Sequence, residues 1–223
     1  MKDSCIIFFV KYPVKGKIKT RLAKTLDDNF VIGLYKCFVT DILSILIRSG
    51  FDFKVYFDPP GFLIKIKKWL GDNYTYVQQH GSNLGERMSN AFMDVFRDDY
   101  NKAIIIGSDM PCFSNNFFTG VFEKLDQNDA VIGPSMDGGY YLLGFKKNTF
   151  LKEVFCNIQW STDIVFNSTM KKFQKNRYKV NILKTMNDID TVDDLKIFTV
   201  KNKDSEFKDS STMNYILNSK IFK

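Results

Sequence analysis

Short runs of β-branched and aromatic residues recur along the chain with helical patterns between them. This alternation constrains the fold more than any other feature, because it calls for a mostly parallel sheet covered by helices on both faces, an α/β architecture. The runs predict strands at Cys5–Val10, Phe53–Phe57, Ala103–Ile106, Ala130–Ile132, Tyr140–Gly144 and Val180–Leu183. Between them, Val31, Leu34, Tyr35, Phe38, Ile42, Ile45 and Leu46 fall at helical spacing within Asn29–Arg48, with Gly50 as terminator. Further helices are predicted over Gly85 to about Asp98, near Ser114–Leu125, and from a Ser161 cap through Phe173. Thr191 and Asp194 form a Thr-x-x-Asp start signal for another.

At 223 residues, 44% hydrophobic and 15% aromatic, the chain can build a sizeable core without disulfide or metal staples. No linker divides residues 1–200, which are expected to form one domain. Residues 201–223 read as a polar tail whose last apolar residues, Met213–Phe222, offer a docking piece. The longest apolar stretches, such as Cys5–Val10, read as too short to cross a bilayer. No signal-peptide cleavage pattern follows Met1, so a soluble protein is expected. Cys5, Cys37, Cys112 and Cys156 stand far apart and read as buried thiols in a reducing, cytoplasmic setting.

Charge is local. Residues 1–24 hold Lys2, Lys11, Lys15, Lys17, Lys19, Arg21 and Lys24 against Asp3 alone, while the rest of a chain of net charge +7 is almost neutral. One basic loop suits a phosphate chain better than a nucleic-acid polymer, which calls for a broad stripe with interleaved aromatics. The loop, Lys11 to Leu22, follows the first strand, where open α/β sheets commonly wrap phosphates. Gly16 permits close backbone approach. Lys19 and Arg21 can neutralise phosphate oxygens, with Lys11 and Thr20 beside them. The loop lacks the Gly-x-Gly-x-x-Gly and Walker signatures, which disfavours hydride transfer and P-loop chemistry.

Three acidic segments complete the set. The apolar run Ile104–Ile106 stops at Gly107-Ser108-Asp109-Met110-Pro111, placing Asp109 at the mouth of the sheet as a ligand for a hard divalent ion. Asp137 sits at a loop tip before Gly138, Gly139 and Tyr140, as an acceptor-positioning residue or base, or as part of a plain Asp-Gly turn. In Asn187-Asp188-Ile189-Asp190-Thr191 the two acids point opposite ways if extended, so one is expected to face the metal, Asp190 in preference to Asp188; helix capping explains much of the same pattern. Gln79, Gly81, Gly85 and Arg87 lie in a polar loop entering a helix, suited to reading a base or sugar. His80 is the only histidine, which excludes a His-based triad or multi-His metal site. Trp160 reads as a pocket wall or a core residue.

Taken together, Lys11-Tyr12-Pro13 with Gly16 and Lys19-Thr20-Arg21-Leu22, Leu84-Gly85-Glu86-Arg87-Met88, Gly107-Ser108-Asp109-Met110-Pro111, Asp137-Gly138-Gly139-Tyr140-Tyr141, Trp160-Ser161-Thr162 and Asp188-Ile189-Asp190-Thr191 resemble a family of glycosyltransferase-A-type proteins. These are the radical-SAM/selenodomain-associated transferases, linked by name to arsenosugar biosynthesis. The chain is also similar, at Lys19–Leu22 and Asp109, to phospholactate and molybdenum-cofactor guanylyltransferases of the nucleotide-diphospho-sugar transferase superfamily. Val192 stands where the family commonly has Pro, and Met110 where Cys is frequent. The resemblance implies a GT-A, Rossmann-like three-layer α/β/α sandwich, and implies the reaction less strongly, since one scaffold serves several chemistries.

The expectation is a metal-dependent glycosyltransferase using Mg2+ or Mn2+, a nucleotide-sugar donor and a small-molecule acceptor. Asp109 with Asp190 or Asp188 would hold the metal, and Lys11, Gly16, Lys19, Thr20, Arg21, Gln79, Gly81, Gly85, Arg87, Ser108 and Asp109 the nucleotide. Gly138, Gly139, Tyr140 and Trp160 would hold the acceptor, with Asp137, Lys19 and Arg21 catalytic. The alternatives are nucleotidyl transfer from a nucleoside triphosphate to a phosphorylated small molecule, and nucleotide binding without catalysis.

Overall fold

The computed structural model of the chain describes residues 2–219 and 221. In chain order its elements are β1 (Lys2–Lys11), α1 (Thr20–Ala23), α2 (Asp28–Ser49), β2 (Asp52–Asp58), α3 (Leu63–Leu70), β3 (Thr75–Gln78), α4 (Leu84–Arg97), β4 (Tyr100–Ile106), α5 (Phe117–Asp126), β5 (Ala130–Pro134), β6 (Tyr140–Lys146), α6 (Val165–Lys175), β7 (Val180–Ile182), α7 (Val192–Asn202) and α8 (Ser211–Asn218). Seven strands make one sheet in the order β3-β2-β1-β4-β6-β5-β7. Neighbours run parallel except around β6, which is antiparallel to both β4 and β5. The exception follows from connection length: the five residues between β5 and β6 can turn a hairpin, but a parallel return needs a crossover of a dozen or more. The fold is the expected mostly parallel, Rossmann-like α/β sheet.

The two faces of the sheet are sorted by the two-residue period of a strand. From β1, Ile6, Phe8 and Val10 join a buried cluster with α2, α5, α7 and α8. Cys5 and Ile7 join the opposite cluster with α4 and α6. Ile104 and Ile106 of β4 face the first cluster, Ala103 and Ile105 the second. Each fully buried Ile, Leu or Phe contributes about 1.5–3 kcal/mol, so these clusters dominate the stability.

Helix α2 is capped by Asp27, whose carboxylate accepts hydrogen bonds from the Asn29 and Phe30 amides, and it ends at Gly50 in the left-handed region, φ 72°. Contrary to the sequence reading of apolar lengths, its mean hydropathy of 2.0 over 18 residues makes it long and apolar enough to cross a membrane by composition alone. Leu34, Phe38, Val39, Ile42 and Leu46 are instead fully covered by the sheet and its neighbours. Midway along α2, Asp41 accepts hydrogen bonds from the backbone amides of Ser211 and Thr212, both 2.8 Å, and so caps α8 from outside. Met213 and Ile216 bury beneath it, and Tyr215 stacks on Phe30. Of the predicted docking piece, Lys220 and Phe222 lie outside the described residues.

Several local expectations change. Strand β3 and helix α3 had no separate assignment, and Thr20–Ala23 is helical rather than loop. The predicted Ser161 cap is not one: α6 starts at Val165 after Ile164, with no side-chain cap, and Ser161 has φ 65°.

Candidate active site

The sheet order carries the chain from β1 outward to β3 on one side and, through α4, back to β4 on the other. Between β1 and β4 the direction of travel reverses, and in open α/β sheets ligands bind at such a point, beyond the carboxyl ends of the strands. Phe8 is paired with Ile106, so the loops after β1 and β4 leave the sheet side by side. Because β6 is antiparallel, its beginning lies at the same mouth, as do the ends of β5 and β7. A cleft of about 790 Å³ opens there, lined by Lys11, Lys19, Thr20, Arg21, Ser108, Asp109, Asp137, Gly139, Tyr140, Trp160, Asp188 and Asp190 among others. Arg21, Asp109 and Asp190, from three distant segments, thus share one cavity.

Lys19 is the centre of this arrangement. It is the residue before α1, with left-handed backbone (φ 43°, ψ 48°) and its carbonyl accepting from the Ala23 amide. Its side chain is only 3% exposed, and its ammonium lies 2.6 Å from an Asp109 oxygen and 2.9 Å from an Asp190 oxygen. Beneath it is the ring of Phe38, 5.9 Å to the centroid. Burial acts to lower the Lys19 pKa, but the charges of Asp109 and Asp190 and the hydrogen bonds to both outweigh it, and the net shift is upward. Lys19 is therefore a permanent cation. Arg21 is the reverse case, 68% exposed, with its nearest nitrogen 3.8 Å from Asp190, free to turn towards a ligand.

Gly16 has φ 71° and open space where a side chain would be, so it serves the turn; the structure gives no close approach at this position. Lys17 and Ile18, part of the predicted loop but given no role of their own there, also line the cleft. Tyr35, expected only as a core residue of α2, ties the two central loops together. Its hydroxyl accepts from the Lys11 amide at 3.1 Å and shares a 2.8 Å hydrogen bond with the Ser108 hydroxyl. A polar tip in an otherwise apolar helical stripe was the available signal for this role.

Asp137 lines the cleft within a tight turn. Its carboxylate accepts hydrogen bonds from the Gly139 amide and the Ser135 hydroxyl, so the expected turn is present and fixes the orientation of the acid. Gly138, at φ 88°, lies so close to the Asp163 backbone that an added Cβ would fall 2.1 Å from the Asp163 carbonyl oxygen. Its contribution is packing; Gly139 and Tyr140 reach the cleft wall. Trp160 also lines it, its ring T-shaped against Tyr140 at 6.4 Å.

Asp188 and Asp190 both line the cleft, against the expectation that alternation would turn one away. That expectation assumed extended backbone, whereas residues 187–190 are irregular. Thr191 and Asp194 form a capping box at the start of α7, which leaves the two earlier acids free of capping duty. Asp188 is pushed up to about 7, by burial first and then by the charges of Asp109, Asp137 and Asp190, with Lys19 opposing.

The polar loop before α4 divides. Gln79 and Arg87 line a second cavity of about 330 Å³ that shares Lys11, Ser108, Asp109 and Tyr140 with the cleft. The Gln79 amide donates to the Tyr56 carbonyl at 2.8 Å, and Arg87 pairs with Asp58 at 3.1 Å. Gly81 and Gly85 line neither cavity. A Cβ on Gly81 would strike the Arg87 amide at 2.8 Å, and one on Gly85 would strike Trp160 at 2.5 Å. Both glycines permit close packing of the α4 amino terminus.

Among the described residues, no three His, Cys, Asp or Glu side chains form a ready metal-binding group. The donor chemistry nonetheless suits a hard divalent ion, since Asp109, Asp188 and Asp190 bring carboxylate oxygens to one cavity. The Lys19-bound oxygens of Asp109 and Asp190 can be no farther apart than 2.6 Å and 2.9 Å laid end to end. Ligands of one Mg2+ lie up to about twice the metal–oxygen distance of ~2.1 Å apart. That upper bound is of the same order as the spacing of two oxygens on one ion.

A family model described as "Uncharacterized protein conserved in bacteria (DUF2064)" matches residues 42–162. None of the curated proteins matches. Among solved structures, a "putative nucleotide-diphospho-sugar transferase" from Desulfovibrio desulfuricans G20 superposes with a TM-score of 0.94 and 39% identity, over 97% of this chain and 95% of its own. The 4-diphosphocytidyl-2C-methyl-D-erythritol synthase of Anaerococcus prevotii DSM 20548 shares the fold at a TM-score of 0.56 and 12% identity, over 90% of this chain and 95% of its own. Rv0371c of Mycobacterium tuberculosis H37Rv, solved in complex with manganese, does so at a TM-score of 0.51 and 14% identity, over 88% of this chain and 97% of its own.

Proposed function

The chain belongs to the DUF2064 family of proteins conserved in bacteria, and within it we propose a metal-dependent transferase that takes a glycosyl group from a nucleotide-sugar to a small-molecule acceptor. One observation carries the reading: Lys19, Arg21, Asp109, Asp188 and Asp190 line a single cleft at the switch point of the sheet. A cation pair beside three carboxylates is the charge pattern that a metal-bridged diphosphate requires.

A divalent ion, when bound, supplies Lewis-acid stabilisation of the diphosphate leaving group. Asp109 with Asp190 or Asp188 would hold it. Lys19 and Arg21 place positive charge at the phosphate oxygens, Arg21 through its two-pronged guanidinium. Lys11, Thr20 and Ser108 bind the nucleotide from the cleft, and Gln79 and Arg87 from the adjoining cavity, while Gly16, Gly81 and Gly85 shape the loops that hold them. Asp137, oriented by its own turn, takes the acceptor proton, and Gly139, Tyr140 and Trp160 form the acceptor wall, with Gly138 packing the turn behind it. The acceptor is also where the likeness to selenodomain-associated, arsenosugar-linked transferases enters, as a guide to which small molecules to try.

A second reading, nucleotidyl transfer, is favoured by the charge of the first loop. A net +6 over residues 1–24 suits a triphosphate better than a sugar nucleotide. Incubation with Mg2+ or Mn2+ and a panel of nucleotide-sugars and nucleoside triphosphates separates them, because sugar transfer releases a nucleoside diphosphate and nucleotidyl transfer releases pyrophosphate. Nucleotide binding without turnover, unaffected by Asp109→Asn, would instead identify a non-catalytic binder. Absence of binding and turnover across the whole panel refutes all three.

A further inference from the structure

The cleft contains a conflict of charge. The ammonium of Lys19 occupies the space between the two carboxylates that a divalent ion would need, in contact with both. We infer that Lys19 masks the acid site in the nucleotide-free protein, and that a bound diphosphate draws the ammonium onto its own oxygens and so releases Asp109 and Asp190 to take a divalent ion. The inference rests on the transferase reading and adds a binding order to it.

The geometry supports exchange rather than permanent pairing. Asp109 and Asp190 keep 53% and 35% of their side chains exposed to the cleft, while Lys19 reaches them from beneath with only 3% exposed. Incoming phosphates therefore meet the acids at the cleft surface, with the cation directly behind them. Lysine is a flexible point charge with three rotatable donors, suited to trading one set of oxygens for another. Arg21, near Asp190 but mostly exposed, can accompany it. A dication and an ammonium cannot share the gap between the same two oxygens, since their mutual repulsion opposes the attraction each has for the acids. Lys19 also keeps a left-handed backbone, rarely adopted by a residue with a side chain.

Coupled exchange predicts reciprocal enhancement, each ligand tightening the other by the same factor. The test is calorimetric titration of the full chain with MnCl2, alone and with saturating UDP, GDP, CDP or ADP, corrected for Mn2+–diphosphate complexes formed in buffer. Wild type is expected to bind Mn2+ weakly alone, and on the order of tenfold or more tighter with the accepted diphosphate. Lys19→Met should bind Mn2+ alone on the order of tenfold tighter than wild type, so that the further tightening by diphosphate shrinks by the same factor. Mn2+ affinity in folded Lys19→Met no higher than in wild type overturns the inference. So does wild-type Mn2+ affinity indifferent to every diphosphate, a measurement that needs no variant. Failure to bind any probe, alone or together, overturns the transferase reading as well.

Discussion

Replacing Gly138 by alanine sets a methyl group against the backbone of Asp163. The new Cβ would lie 2.1 Å from the Asp163 carbonyl oxygen and 2.4 Å from its Cα, where contacts below 3.0 Å essentially do not occur. The turn or the facing segment must therefore retreat by about 1 Å, and neither is slack. The Gly138 carbonyl accepts from the Phe166 amide at 2.8 Å, and its amide donates to the Ser135 carbonyl at 3.2 Å. At φ 88° a side chain costs roughly 1–2 kcal/mol in backbone strain, and overpacking typically adds about 1–3 kcal/mol. The expected destabilisation is about 2–5 kcal/mol. Asp137 and Asp163 ride on the displaced segments and both line the cleft. A misplacement of about 1 Å commonly costs on the order of 100-fold in rate. Urea denaturation and turnover with the donor identified by the panel measure the two effects. Gly120→Ala is the control, in the interior of α5 with open space around it, and should gain about 0.5–1 kcal/mol with activity intact. Near wild-type stability and turnover in Gly138→Ala would refute the assignment of this contact as what positions Asp137.

Asp109→Asn should abolish Mn2+ binding in the presence of diphosphate and lower turnover by roughly 100-fold or more, with a retained cooperative melting transition as the control for folding. Tyr35→Phe leaves the Lys11 amide and Ser108 hydroxyl without their bridge. It should cost about 1–3 kcal/mol in chemical denaturation and raise KM for the donor, because the two loops that line the cleft are no longer tied. Asp41→Ala removes both acceptors that cap α8. A loss of about 2–4 kcal/mol is expected, together with rapid hydrogen exchange in residues 211–218.

The strands legible in sequence are those buried on both sides. Ile6 to Val10 and Ala103 to Ile106 are covered by helices on either face, so packing demands an unbroken apolar run, and composition alone marks it. Strand β3 escapes because Thr-Tyr-Val-Gln lies at the sheet edge with two exposed residues, where packing asks for no such run. Helix α3 buries Ile66 alone and carries three lysines, leaving too narrow an apolar stripe to separate it from a basic loop. The start of α6 failed for another reason. Ser161 has capping chemistry, but Trp160 is held against Gly85, and the Phe166 amide is held by Gly138, so tertiary contacts delay the helix until Val165.

The site divides along the same line. Asp109 was legible because it ends an apolar strand, which places it at the sheet mouth whatever the rest of the chain does. The ion pairing was not, because Lys19 and Asp190, each singled out alone, lie 171 positions apart and their contact leaves no periodic trace. Burial supplies the missing link. An ammonium left 3% exposed over the Phe38 ring is unaffordable without close counter-charges, and the mouth of this sheet offers carboxylates. Every other lysine of the basic loop can be solvated, so only Lys19 is forced into the acid site. Its dependence on those carboxylates makes it the residue whose removal most directly asks whether they are reserved for a metal.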